Sequence, residues 1–343
     1  MTEAQPRNSN SISTTTEYEG IEMSVEKLSK SFALPSDMSP REVDLFIPKA
    51  TKDPAFLAAV EEEIALIPTQ HRLILGDSRD MASIEDESVH LVLTSPPYWT
   101  LKEYNKTEGQ LGYVEDYEMF LKELDKVWSE CHRVLVKGGR LIIVVGDVCL
   151  SRRKHGRHQV FPLHADIQSN CRRMGFDNLA PIFWYKIANA SFEAEGNGAG
   201  FLGKPYEPGG VVKNDVEFIL MERKPGAYRT PSTKTRLLSI IPADRHKEWF
   251  RQVWSDVPGE STAKHPAPFP PDIPTRLIRM FSFVGDTVLD PFTGTGTTNL
   301  AAMRLGRNSV GIEVDRTYLK MAENRLRKEV STLQMNRKLV VER

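Results

Sequence analysis

The chain has 343 residues, enough for one large α/β domain with an insert or for two domains. Apolar residues make up 40% and the formal net charge is −1, so this is the composition of a globular protein, and any nucleic-acid surface must be a local basic face. No apolar run is long enough to span a membrane, the polar N-terminus is not a signal peptide, and Cys131, Cys149 and Cys171 show no metal-binding spacing, which points to a cytoplasmic protein with reduced thiols.

The first predicted element follows a Ser-, Thr- and Asn-rich stretch to about Gly20 that reads as disordered. Helix is expected from Ser39 to Ile67, with Glu61, Glu62 and Glu63 as a solvated acidic face. Leu73-Ile74-Leu75 is a strand that runs into Gly76-Asp77-Ser78. Val89 to Leu93 is a second, buried strand. Two prolines, Pro96 and Pro97, end it, because neither has an N–H to give a sheet and both fix φ. Ser95-Pro96-Pro97-Tyr98 therefore presents a hydroxyl, a proline carbonyl and an aromatic face at the carboxyl end of a strand, where open α/β sheets bind ligands. A stiff pair of acceptors beside a stacking ring suits a planar base with an exocyclic amino group.

Leu135 to Asp147 reads as a helix end, a turn at Gly138-Gly139 and a buried strand. The basic loop Ser151 to His158, with Arg152, Arg153, Lys154 and Arg157, follows that strand and should emerge on the same sheet edge as Ser95 to Tyr98. Pro181–Lys186 and Val216–Met221 are the paired last strands. The Gly- and Pro-rich loop Asn189 to Asn214 lies between them. Pro225 to Val257 follows, with Trp249, Phe250 and Trp254. The second basic stretch, Arg223 to Arg251, overlaps it and includes Lys224, Arg229, Lys234 and Arg236. Long irregular loops on a rigid scaffold commonly carry function, so target recognition is expected in these two stretches, with the cations meeting phosphates.

Lys264-His265-Pro266 opens a proline-rich segment before an amphipathic helix, Thr275 to Phe281. Val288-Leu289 is a short strand, and Asp290-Pro291-Phe292-Thr293-Gly294-Thr295-Gly296-Thr297-Thr298 is a glycine turn opening a helix that Gly306 ends. Gly294 and Gly296 should let the backbone approach a ligand, and the helix N-terminus adds unpaired N–H donors. Glu313, at the tip of the next strand, can accept hydrogen bonds from a ribose diol. A nicotinamide dinucleotide enzyme could use these parts, but the third glycine of the dinucleotide fingerprint and the Gly-Lys-Ser/Thr of a P-loop are both missing.

Together, Ser95–Tyr98 and Asp290–Thr298 resemble the two signature motifs of the β-class amino-methyltransferases of DNA, over roughly Leu73 to Leu326. The resemblance implies a doubly wound, Rossmann-like α/β methyltransferase sheet with circularly permuted motif order, the catalytic motif preceding the cofactor motif, and a target-recognition insert. It implies S-adenosylmethionine as cofactor, held by Asp77, Asp290, Phe292, Gly294, Gly296, Thr297, Thr298 and Glu313 and closed over by His265 and Pro266. It makes Ser95, Pro96, Pro97 and Tyr98 the catalytic set, with Trp99 helping to wall the base pocket. The base is flipped out of double-stranded DNA. No metal and no catalytic cysteine are called for.

In this family Ser at the first motif position usually accompanies cytosine N4, and Asp or Asn adenine N6. Ser95 thus favours N4-methylcytosine, with N6-adenine activity and an inactive nucleic-acid-binding relative as the alternatives. The implied units are a disordered tail at 1–38, a helical extension at 39–70, the catalytic half at 71–186, the last strands with the recognition region at 187–262, the cofactor half at 263–330 and a tail at 331–343. The implied setting is the nucleoid, with a restriction endonuclease as genetic partner. Relatives of this class are often homodimers, although no stretch here marks an interface.

Overall fold

The structure is a computed structural model that describes residues 38–99, 105–150, 155–186, 208, 212, 214–259, 270–333 and 337–342. The expected N-terminal helix is two helices, α1 (Pro40–Ala50) and α2 (Pro54–Leu66). Ser39 and Glu42 form a capping box at α1, and the Asp53 carboxylate takes the Ala55 and Phe56 N–H groups at the start of α2. The expected acidic face is only partly solvated, because Glu61 pairs with Arg279 and Glu63 with Lys234.

The remaining elements are β1 (Thr69–Leu75), β2 (Val89–Thr94), α3 (Tyr117–Val134), β3 (Leu135–Val145), β4 (Val148–Leu150), β5 (Gln159–Phe161), α4 (Leu163–Arg173), β6 (Asp177–Tyr185), β7 (Val216–Arg223), α5 (Thr233–Leu238), α6 (Ala243–Trp249), β8 (Val253–Trp254), α7 (Asp272–Phe281), β9 (Thr287–Asp290), α8 (Thr297–Arg304), β10 (Asn308–Glu313), α9 (Arg316–Leu333) and β11 (Arg337–Glu342). Nine strands form one sheet in the order β11-β1-β10-β9-β2-β3-β7-β6-β8, while β4 and β5 pair as a separate hairpin. Strands β11 through β3 are parallel, and β7 runs antiparallel to both β3 and β6. The carboxyl ends of β1, β10, β9, β2 and β3 therefore share one edge with the end of β6 and the start of β7.

Side chains alternate across the central strands as strand geometry requires. Leu91, Leu93, Ile142 and Val144 face α7 and α8, where they meet Ile273, Leu277 and Ala301. Val92, Leu141, Ile143 and Val145 face α3 and α4, where they meet Phe120, Leu124, Trp128 and Ile167. Each buried aliphatic contributes about 1.5–3 kcal/mol, so a one-residue slip would cost both layers and the register is firmly set. The expected C-terminal tail is corrected in part: residues 337–342 are the edge strand β11, whose Leu339 and Val341 pack with the cluster around Leu73. Among the described residues no helix is long and apolar enough to cross a membrane.

Candidate active site

Four loops at the shared sheet edge converge on one cavity. Asp77 and Ser78 after β1, Ser95 and Pro97 after β2, Phe292 to Thr295 after β9, and Glu313 at the tip of β10 all line it. Gly109 and Leu111 close one side, and Thr297 and Tyr318 complete the wall.

The glycine turn is built as its sequence requires. Gly294 takes φ +52° and Gly296 φ +78°, a region that side chains disfavour. The Gly294 N–H donates to Glu313 Oε2 at 2.8 Å, and the Asp315 N–H donates to Oε1 at 2.9 Å. Burial pushes the Glu313 carboxyl up to about 7, and the nearby Asp315 and Asp290 charges add to the rise. Gly296 does not face the cavity. A Cβ there would meet Ala322 Cβ at 3.0 Å, so this glycine lets the turn pack on α9.

Asp290 also departs from expectation. Its carboxylate is buried away from the cavity, where it accepts the Thr94 hydroxyl at 2.7 Å and the Phe292 N–H at 3.1 Å. Burial pushes it up to about 6. It holds the turn after β9 to the loop after β2 and does not line the pocket. Thr298 is likewise buried beneath the turn, whereas Phe292 and Thr297 are on the wall. Asp77 is on the wall and is gripped by Arg79, whose Nε lies 3.0 Å from both carboxylate oxygens. Burial presses Asp77 toward protonation, but the Arg79 hydrogen bonds outweigh it and hold the carboxyl below the usual range. Gly109, at φ +85°, is needed beside it, since a Cβ there would fall 2.9 Å from Asp77 Oδ2.

Ser95 is half-buried on the cavity wall, and Pro96, Pro97 and Tyr98 are buried beside it. The Tyr98 ring edge lies over Gly146, where a Cβ would meet Tyr98 Cε1 at 3.5 Å and Glu217 Cγ at 3.3 Å. Two polar pairs flank this spot. Asp147 Oδ1 lies 2.6 Å from His164 Nδ1, and Lys186 Nζ lies 2.6 Å from Glu217 Oε1. The His164 ring stacks on Phe218 with centroids 3.6 Å apart.

The profile of the DNA methylase family matches residues 89–324, more than half of the chain. This chain belongs to the DNA methylase family. It is 40% identical over 290 residues to the type II methyltransferase M.MjaI of Methanocaldococcus jannaschii, a match that covers 76% of this chain and 92% of that protein. It is similar to the putative DNA modification methylase TTHA0409 of Thermus thermophilus, solved in complex with S-adenosyl-L-methionine, at 50% identity and a TM-score of 0.65, over 79% of this chain and 98% of that one. The cytosine-N4-specific PvuII DNA methyltransferase shares the fold at 19% identity and a TM-score of 0.51, over 80% of this chain and 98% of that one.

In this DNA methylase the expected basic face divides. The β4–β5 hairpin stands on the catalytic edge, as expected, and Arg157 is exposed on it. Arg152, Arg153, Lys154, His265 and Pro266 lie outside the described residues, as does nearly all of the Asn189–Asn214 loop. Lys224, Arg229, Lys234 and Arg236 are on the opposite edge. Because β7 is antiparallel, the chain beyond Arg223 leaves at the amino ends of the parallel strands. There Lys224 donates to the Leu135 carbonyl at 2.8 Å, Arg229 grips Asp286 through two nitrogens at 2.6 and 2.5 Å, Lys234 pairs with Glu63 and Arg236 with Asp44. Trp249 and Trp254 are core residues around Arg276. The stretch from Pro225 to Trp254 buttresses the sheet at this end, through Trp249 and Trp254.

Trp99 is buried at the end of the Ser95–Tyr98 loop. It adopts φ +46°, donates its indole N–H to the Val114 carbonyl at 2.8 Å and packs on Tyr117 and Phe161. It anchors the loop behind Tyr98. The pairs Asp147–His164 and Lys186–Glu217 escaped the sequence reading. No local pattern signals them, since each partner lies on a different element.

Proposed function

We propose that this protein transfers a methyl group from S-adenosylmethionine to the exocyclic N4 of a cytosine flipped out of double-stranded DNA. The observation that carries the base choice is Ser95. A neutral hydroxyl stands on the cavity wall at the position where adenine-N6 relatives usually place Asp or Asn.

The cavity fits the cofactor. Glu313 offers a buried carboxylate on the wall with lone pairs left for a ribose diol, and Asp77 adds a second acceptor. Phe292 gives an apolar surface, and the Gly294 turn lets the backbone close in. When bound, S-adenosylmethionine supplies an electrophilic methyl group. The catalytic loop does the rest by positioning. Tyr98 stacks on the flipped base. The Ser95 hydroxyl and the Pro96 carbonyl accept hydrogen bonds from the amino group, which turns the nitrogen lone pair out of conjugation and aims it at the methyl carbon. No covalent enzyme–base bond forms in this scheme.

The test is nucleoside mass spectrometry of unmethylated DNA incubated with the protein and S-adenosylmethionine. N4-methylcytosine is the expected product. N6-methyladenine would keep the reaction class and overturn the base choice. No methylated base, with cofactor binding intact, would overturn the proposed reaction.

A further inference from the structure

A buried polar chain runs under the glycine turn from a histidine that no motif includes. His71 on β1 faces Ser309 on β10 in parallel register, and both are fully buried. His71 Nδ1 lies 2.8 Å from Ser309 Oγ, and Nε2 lies 2.9 Å from Thr69 Oγ1. Asn299 on α8 donates its Nδ2–H to the same Ser309 oxygen at 3.2 Å. Asn299 Oδ1 in turn accepts the Thr293 hydroxyl at 2.7 Å. Thr293 belongs to the cavity wall; its N–H reaches the Ile312 carbonyl at 2.9 Å, and its carbonyl accepts the Gly296 N–H at 2.8 Å.

The Thr293 proton goes to Asn299 and the Asn299 amide to Ser309, which leaves the Ser309 hydroxyl able to donate to His71 Nδ1, with His71 Nε2–H donating to Thr69. With Nδ1 accepting, the imidazole is neutral, and burial, followed by the Arg337 charge, pushes it down to about 3. Gly311 is an independent sign that the space is kept for this chain. A Cβ there would fall 2.2 Å from Thr293 Oγ1 and 2.8 Å from Asn299 Oδ1.

We propose that His71 is a positioning residue for the cofactor turn: acting through Ser309 and Asn299, it fixes Thr293 and so presents the Gly294 N–H to Glu313. The proposal rests on the assignment of this turn to S-adenosylmethionine.

The test is calorimetric binding of S-adenosylhomocysteine to the full chain, with KM and kcat measured alongside. His71→Leu removes the acceptor for Ser309. It should weaken binding about tenfold, the effect of one buried hydrogen bond, and raise the cofactor KM while leaving kcat at saturation near wild type. His71→Asn places Oδ1 where Nδ1 stood and should restore affinity to within about threefold. His71→Gln, which reaches only the Nε2 position, should behave like the leucine variant. Should His71→Leu not fold, Ser309→Ala must show the same tenfold loss. Equal affinities for the Leu and Asn variants, or a fall in stability with unchanged affinity, would overturn the role of His71. A wild-type chain that binds no S-adenosylhomocysteine would instead overturn the cofactor assignment beneath it.

Discussion

The Thr94 hydroxyl donates a 2.7 Å hydrogen bond to Asp290 Oδ1 and so ties the last residue of β2 to the last residue of β9. Those strands release the catalytic loop and the cofactor loop. Both partners are buried, so water cannot replace the bond. Thr94→Val should cost about 1–3 kcal/mol of stability, as losing one partner of a buried pair does. It should also lower kcat more than cofactor affinity, because it loosens one loop against the other. Urea unfolding and cofactor titration of the variant check both parts. Unchanged kcat would show that the two loops are held independently.

Burial raises Glu313 to about 7 from an ordinary 4.5. The folded chain without cofactor then binds a proton more tightly than the unfolded chain. Stability is accordingly greatest below pH about 4.5 for this group and falls as pH rises toward 7, by roughly 3 kcal/mol at most. Cofactor affinity should run the other way, rising through pH 7 as the carboxylate ionises to accept the ribose hydroxyls. Glu313→Gln should flatten the pH dependence of binding and weaken it by about 1–3 kcal/mol at pH 8. Calorimetric titration from pH 5 to 8 reads this directly. A wild-type profile flat across that range would refute the ribose role.

Trp99 holds a left-handed φ for which tryptophan has no preference, at a cost of about 1–3 kcal/mol that its packing offsets. Trp99→Phe keeps a ring against Phe161 and Tyr117 but loses the hydrogen bond to Val114. It should raise the KM for DNA severalfold and leave cofactor affinity alone. Tyr98→Ala should go further and abolish capture of the flipped base, with the cofactor still bound. Fluorescence of 2-aminopurine at the target position separates the two variants. Equal loss of base capture and cofactor binding in Tyr98→Ala would remove its stacking role.

The two basic regions make opposite predictions. Arg157→Ala, on the exposed hairpin beside the catalytic loop, should weaken DNA binding and reduce the slope of log affinity against log salt by about 1. Arg229→Ala, which strips a bidentate partner from buried Asp286, should leave that slope unchanged and cost about 2 kcal/mol of stability. Filter binding at several salt concentrations, with urea unfolding alongside, distinguishes them. A reduced salt slope in Arg229→Ala would return the second basic stretch to the DNA face.

Short-range constraint is what the sequence by itself determined. Pro96 and Pro97 forbid a continuing strand, and the Thr293–Gly296 turn needs positive φ before a helix, so both loops and the cavity between them were legible from a few adjacent residues. Glu313 was legible too, as the acid at a strand tip. Tertiary structure alone decided which side chains in those motifs face the cavity: Asp290 and Gly296 turn inward to Thr94 and to α9, while Ser95 and Phe292 face out. It also decided which basic stretch shares the catalytic edge, because the reversal of β7 carries Lys224 and Arg229 to the far end of the sheet. The pairs Thr94–Asp290 and His71–Ser309 join positions 196 and 238 residues apart. Strand order, not local pattern, brings them within hydrogen-bond reach.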